Sequence, residues 1–197
     1  MKSLRKDVIL DYDQIESTLL EKDILQKADH PFLVGMEYVF QTEQKIFFVM
    51  KFVRGGELFM HLRKARQFPE ERTKFYSLTV ALALGHLHQQ KIIYRDLKPE
   101  NILVSGSYPD FKVKILDLGL AKMLNIKSYE HQTTETEERE TFGTPPYMSP
   151  EQCLNAKEVT AASDVYSAGI LAVILYCNQY PYEMNDHKSY EQIHVEE

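Results

Sequence analysis

Asp96 and Asn101 stand five positions apart with Lys98 between them, in the string Tyr94-Arg95-Asp96-Leu97-Lys98-Pro99-Glu100-Asn101. A carboxylate so placed can accept or orient the proton of an attacking hydroxyl. The amide oxygen five residues on is a hard donor suited to Mg²⁺. Lys98, two residues from the carboxylate, can neutralise charge on a phosphate in transit. Carboxylate and amide at this spacing are common by chance in surface loops; the full string in order is not. Sixteen positions after Asn101 comes Asp117-Leu118-Gly119, following the apolar run Val113 to Leu116. Asp117 would add a carboxylate to the same cation, and Gly119 gives the backbone freedom to turn. Standing alone, that tripeptide reads equally well as the turn at the end of a strand.

These groups need elements to hold them. The apolar residues Ile15, Leu19, Leu20, Ile24 and Leu25 recur at helical spacing between Asp13 and Lys27, and His30-Pro31 stops that helix. Ahead of it, Val8-Ile9-Leu10 reads as the end of a strand. Two apolar runs, Phe32 to Phe40 and Ile46 to Val53, flank the polar Thr42-Glu43-Gln44-Lys45 and read as a hairpin. Gly55-Gly56 breaks the strand. A short helix is predicted over Glu57 to Lys64 and a long one over Glu70 to Gln89, with Phe75, Leu78, Leu82 and Gly85 on its buried face. Ile102 to Val104 and Val113 to Leu116 are short strands. Ala161 to Cys177 is apolar nearly all round, which predicts a buried central helix. A strand-rich first quarter and a helix-rich remainder give an α+β class with two lobes joined near Lys51 to Gly55.

The chain has 197 residues with 23 Lys and Arg against 29 Asp and Glu, a formal net charge of −6. An acidic balance argues against a surface built to track nucleic-acid phosphates, so no nucleic-acid partner is expected. The two cysteines, Cys153 and Cys177, form no Cys-x-x-Cys pair; they read as reduced, mostly buried thiols of an intracellular, cytoplasmic protein, with the nucleus left open. The longest apolar run, Ala168 to Cys177, falls short of the ~20 residues of a membrane-spanning helix. The first residues, Met1 to Lys6, have no signal-peptide character.

The string Tyr94 to Asn101 is similar to the catalytic loop of eukaryotic protein kinases, and Tyr in its first position resembles the cyclic-nucleotide-dependent (AGC) group. Asp117-Leu118-Gly119 resembles the metal-binding Asp-Phe-Gly, with Leu for Phe. Gly143 to Glu151 is similar to the substrate-facing loop and its Ala-Pro-Glu anchor, with Ser149 for Ala. Lys98 with Thr144 marks the serine/threonine branch. The resemblance implies a two-lobed fold with a small β-rich N-lobe, residues 1–53, and a larger helical C-lobe, residues 54–197. It implies transfer of the γ-phosphoryl group of Mg-ATP to a Ser or Thr hydroxyl of a protein substrate, with ATP and Mg²⁺ as cofactors. Asp96 would be the base, Lys98 its partner, and Asn101 and Asp117 the metal ligands. Lys2, on the tail of a strand, would hold ATP phosphates, braced by Glu21. Met50, Lys51 and Val53 would form the hinge that meets adenine through backbone, and Leu103 the floor beneath it. Glu57 would reach the ribose hydroxyls or a basic residue of the substrate; Glu100 is grouped with the nucleotide-binding set and, with Glu57, could favour a basic residue upstream of the phosphorylated hydroxyl. As plain sequence, Lys2 also reads as a solvated terminal lysine, Glu21 as an exposed helix residue and Glu57 as charge at a helix start. Asp164, opening the apolar helix, is either the family's buried Asp that ties this helix to the catalytic loop or a simple helix cap; both readings stand.

Three departures accompany the resemblance. No glycine-rich phosphate loop precedes Lys2, and the chain ends before the last helices of a complete C-lobe. Both leave two function classes: the body of an enzyme, or a shortened, inactive kinase-like binding module. Ile174 stands where some relatives carry a Glu. The polar segment from Lys127 to Glu140, extending to Thr141, is a candidate switch for an activating kinase. Arg95 and Lys122 would form its phosphate pocket and Glu140 would stand in for a phosphate; an acidic loop without a switch role is the competing reading.

Overall fold

A computed structural model describes residues 1–27, 29–106, 112–123, 143–154 and 159–182. It begins with a three-stranded antiparallel sheet in the order β1-β3-β2, formed by β1 (Lys2–Arg5), β2 (Met36–Gln41) and β3 (Lys45–Met50). Lys2 lies opposite Phe48, and Val39 opposite the same residue from the other side. The β2–β3 turn closes where the hairpin is predicted: Thr42 N donates to Lys45 O at 2.8 Å, and Lys45 N to Thr42 Oγ1 at 3.2 Å. Phe48, fully buried at the centre of the sheet, joins the main core.

Val8 to Leu10 is not strand. After Lys6 N donates to Gln44 O the chain leaves the sheet and winds into α1 (Lys6–Asp11). Asp7 accepts from Val8 N at 2.9 Å, and only Ile9 of the apolar trio is buried. A row of three apolar residues has no period of its own to hold it in a strand. The following helix, α2 (Ile15–Lys27), buries Glu21, Ile24 and Leu25, while Ile15 and Leu19 stay exposed.

The helical part contains α3 (Leu58–Ala65), α4 (Glu70–Gln89), α5 (Pro150–Leu154) and α6 (Ala161–Cys177). Between α4 and α5 lie the short ladders of β4 (Ile92–Ile93) with β7 (Lys122–Met123) and of β5 (Ile102–Ser105) with β6 (Lys112–Ile115). The buried face of α4 is Thr73, Tyr76, Val80, Ala83, Leu84 and Leu87. Leu78 and Leu82, expected inside, are 64% and 58% exposed. Two stripes of helical period coexist in that sequence, and the one carrying Tyr76 and Val80 took the core. Similarly α6 buries one side, from Ser163 to Leu175, and leaves Val165 and Tyr176 outward, so the all-round burial expected of it is half realised. Cys153 is buried, but Cys177, at the end of α6, is exposed, against the expectation of two mostly buried thiols. Among the described residues no helix is long and apolar enough to cross a membrane.

Gly55 has a positional role. A Cβ there would lie 1.8 Å from the Val104 carbonyl oxygen, so only glycine lets the segment after β3 lie against β5. Val104 N then donates to Gly56 O at 2.9 Å, and Glu57 bridges to Leu103.

Candidate active site

The loop after β4 is held open by one buried carboxylate. Asp164, fully buried in the first turn of α6, accepts from Tyr94 N and Arg95 N, each at 2.8 Å, and from His88 Nε2 at 2.7 Å. Arg95 sits at φ 67°, a conformation few side-chain-bearing residues adopt, and the bond to its N–H helps fix it there. Its carbonyl accepts from Gln152 Nε2 at 3.2 Å. Helix capping falls to Thr160, whose side chain accepts from Ala162 N. Of the two roles left open for Asp164, the geometry therefore selects the tie to the loop.

So anchored, the loop presents Asp96, only 7% exposed. Its Oδ1 accepts from Thr144 Oγ1 at 2.5 Å and from Lys98 Nζ at 3.2 Å. Its Oδ2 accepts from Asn101 Nδ2 at 2.8 Å, with Lys98 Nζ at 2.9 Å. Lys98 also donates to Thr144 Oγ1 at 2.7 Å. The Asn101 amide nitrogen is thereby committed to Asp96, which turns the amide oxygen into the available donor atom.

Asp117 is brought beside this loop by backbone pairing, since Leu116 N donates to Asn101 O at 2.8 Å. Tyr94, fully buried, donates its hydroxyl to Leu116 O; burial pushes its phenol pKa well up, so it remains a neutral donor. From β1, Lys2 Nζ lies 2.6 Å from Glu21 Oε1 and 3.0 Å from Asp117 Oδ1. Burial works against the Lys2 ammonium, but hydrogen bonding and charge from Glu21, then Asp117, outweigh it and raise its pKa. Burial pushes the Glu21 carboxyl up, against the pull of Lys2 and with a push from Asp117. A Cβ on Gly119 would stand 3.0 Å from Asp117 Oδ1 and 3.5 Å from Lys2 Nζ, so glycine leaves this ion cluster its room. Residues 115 positions apart thus converge in one charged cluster.

A family model for the protein kinase domain matches residues 1–197. The chain belongs to the protein kinase family. The RAC serine/threonine-protein kinase of Drosophila melanogaster is 40% identical over 188 residues, covering 95% of this chain and 29% of that protein. RAC-beta serine/threonine-protein kinase B of Xenopus laevis is 39% identical over 198 residues, all of this chain and 39% of that protein. A RAC family serine/threonine-protein kinase homolog of Dictyostelium discoideum is 45% identical over 152 residues, 77% of this chain and 32% of that protein. The chain spans between 29% and 39% of the length of these relatives.

Within this kinase-family chain the other expected site residues divide in two. Glu57 stands at the N-cap position of α3, without a side-chain cap bond, and bridges Leu103 on β5, so the candidate ribose contact and adenine floor are neighbours. Met50 ends β3, and Lys51 and Val53 follow it outside any helix or strand. The Lys51 side chain turns elsewhere: it lies 3.9 Å from Glu37 and lines a separate polar pocket with Asp29 and His30. Glu100 has one carboxylate oxygen buried without a hydrogen-bond partner. Arg95 Nε donates to Leu120 O at 2.6 Å, and Lys122 stands on β7 opposite Ile93. The rest of the proposed switch, from Lys127 to Thr141, lies outside the described residues.

Two positioning groups escaped the sequence reading. His88 is the third partner of Asp164, and Thr144 donates directly to Asp96 rather than only marking a branch. A histidine in the last turn of the helix preceding the loop was the available signal for the first.

Proposed function

We propose that this chain is the body of a serine/threonine protein kinase, transferring the γ-phosphoryl group of ATP to a protein hydroxyl. The observation that carries it is the Asp96–Lys98–Asn101–Thr144 cluster facing the Lys2–Glu21–Asp117 cluster. The donor set suits Mg-ATP. Asp117, half exposed, and the Asn101 amide oxygen offer two hard oxygens, the modest number Mg²⁺ takes when phosphates complete its shell. Among the described residues no group of three or more His, Cys, Asp or Glu could form a dedicated metal cage. Bound there, Mg²⁺ would neutralise charge on the phosphates during transfer.

In this reading Lys2, held by Glu21, swings from Asp117 to the phosphates as a positioned cation. Asp96 orients the substrate hydroxyl and takes its proton, replacing the Thr144 hydroxyl it now accepts from. Lys98, already between Asp96 and Thr144, follows the charge to the transferred group. Met50, Lys51 and Val53 contribute backbone to adenine, Leu103 its floor, Glu57 the ribose contact, and Glu100 belongs to the same binding set. Residues 1–53 would act as one lobe and 54–197 as the other, with the cleft between them. Protein substrate and ATP are the partners, an upstream kinase acting on residues 127–141 the activating input, and the cell interior the setting.

The test is transfer of labelled phosphate from Mg-ATP to a Ser/Thr protein or peptide substrate, using the gene product that contains this chain. Asp96→Asn should abolish transfer; undiminished transfer in that variant would remove Asp96 from the role of base.

A further inference from the structure

A polar pocket of about 220 Å³ is lined by Asp29, His30, Met36, Glu37, Lys51 and Lys114, and shares no wall with the Asp96 or Lys2 clusters. At ~30 Å³ per water it has room for a small, partly hydrated ion. Its walls are fixed by backbone. Leu33 pairs with Ile115, Ile115 N donates to Phe32 O at 2.8 Å, and Val34 N donates to Ile115 O at 3.0 Å. Lys114, next to that ladder on β6, donates from Nζ to Leu33 O at 3.0 Å. The His30 ring stacks on His86 of α4 with 4.7 Å between centroids. Groups held in this way lose little freedom when a ligand arrives.

Lys114 is the unusual group. It is half-buried, and among the described residues no carboxylate lies within ion-pair distance of it. Burial pushes its ammonium pKa down, Lys51 pushes it further, and no carboxylate pulls it back. After the bond to Leu33, two of its three N–H donors remain to be used. His30 Nδ1 accepts from Phe32 N at 3.2 Å, which leaves the ring proton on Nε2 as another donor. Burial, then His86 and Lys114, hold the His30 pKa below its ordinary value. An anion would reverse both shifts.

The lining carboxylates do not fill that role. Glu37 stands 3.9 Å from Lys51, at the edge of ion-pair range, and Asp29 is exposed. Nor do they make a cation site, since among the described residues no three of His, Cys, Asp or Glu gather as metal ligands. Taken together they cancel the two lysines, so a monoanion gains little and a dianion gains most.

We propose that this pocket binds a small phosphoryl dianion, free phosphate or the head of a small phosphate monoester, between Lys114, Lys51 and His30. The site stands independently of the phosphotransfer reading above. Held there, the anion ties the segment that follows β3 to the strand leading into Asp117.

The experiment follows the His30 Cε1 proton by NMR, with labelled histidine, in the gene product that contains this chain. It is titrated with inorganic phosphate, with glycerol 3-phosphate and, at equal ionic strength, with chloride. Phosphate or its monoester should give a saturable shift and raise the His30 pKa, and chloride should do neither. A response to one of the two phosphates alone identifies the source and supports the site. Lys114→Gln, which keeps a donor for Leu33 O, should weaken binding about tenfold or more, the worth of a charge-assisted bond. Lys51→Gln, at an exposed side chain, should weaken it severalfold, and Lys114→Arg should retain it. Lys2→Met should leave the His30 response as it was. A response that chloride reproduces, that survives Lys114→Gln undiminished, or that disappears with Lys2→Met overturns the proposal. So does the absence of any saturable response to either phosphate.

Discussion

Replacing Asp164 by Asn probes the joint between α6 and the catalytic loop. The native carboxylate is fully buried and takes three donors: two backbone N–H groups at 2.8 Å and His88 at 2.7 Å. Asparagine keeps one oxygen and turns an NH₂ toward donors that cannot accept from it. At least one charge-assisted bond is lost, about 1.5–3 kcal/mol, and a buried donor is left unpaired, about 1–3 kcal/mol. A total of about 3–5 kcal/mol takes a large part of the roughly 5–15 kcal/mol that holds a domain together. For a chain of this size it corresponds to a melting temperature lower by roughly 6–20 °C. Differential scanning calorimetry or thermal circular dichroism reads it. With its N–H released, Arg95 would leave its positive φ, so phosphate transfer should fall with stability. An Asp164→Asn protein melting within about a degree of the parent, with transfer intact, would refute the tie. Thr160→Ala, which removes the actual cap, should cost only about 1 kcal/mol and spare transfer.

Lys2 has a folded pKa raised above the ordinary 10.5, so its contribution to stability is fully present below about pH 10.5 and is lost as pH rises through the higher folded value. The stability difference between parent and Lys2→Met, followed by urea titration across pH, should be flat at neutral pH and shrink only above that point. Gly55→Ala places a methyl 1.8 Å from the Val104 oxygen and should cost at least the ~1–3 kcal/mol typical of overpacking, measured as a lower urea midpoint. Thr144→Val strips a donor from Asp96 and an acceptor from Lys98; steady-state kinetics should show a lower kcat with the KM for ATP unchanged.

Much of the site was legible because its chemistry is local in sequence. Asp96, Lys98 and Asn101 share one loop, and their spacing alone announces a base, a cation and a hard ligand. The Lys2–Glu21 contact was legible only through resemblance, since nothing local distinguishes a first-strand lysine from a solvated one. Long helices with definite ends, α4 and α6, emerged with their predicted bounds. Their facing did not. In α4 two apolar stripes compete, and the choice between Leu78 and Val80 depends on what α6 presents across the interface. The strand predicted at Val8 to Leu10 failed because an apolar trio lacks periodicity and the chain leaves the sheet once Lys6 has paired with Gln44. His88 was passed over because its partner, Asp164, is 76 residues away.

That same remoteness bears on how the protein is made. The N–H groups of Tyr94 and Arg95 wait for a carboxylate 70 and 69 residues further along the chain. Asp164 follows Asn101 by 63 residues, so at a synthesis rate of ~5–20 residues per second the loop is complete for roughly 3–13 seconds before its anchor leaves the ribosome. During that interval every residue of the catalytic string exists, but nothing holds Arg95 in its strained conformation. The geometry of the loop is thus timed by the arrival of α6, and the long-range closure it requires is the kind that slows folding.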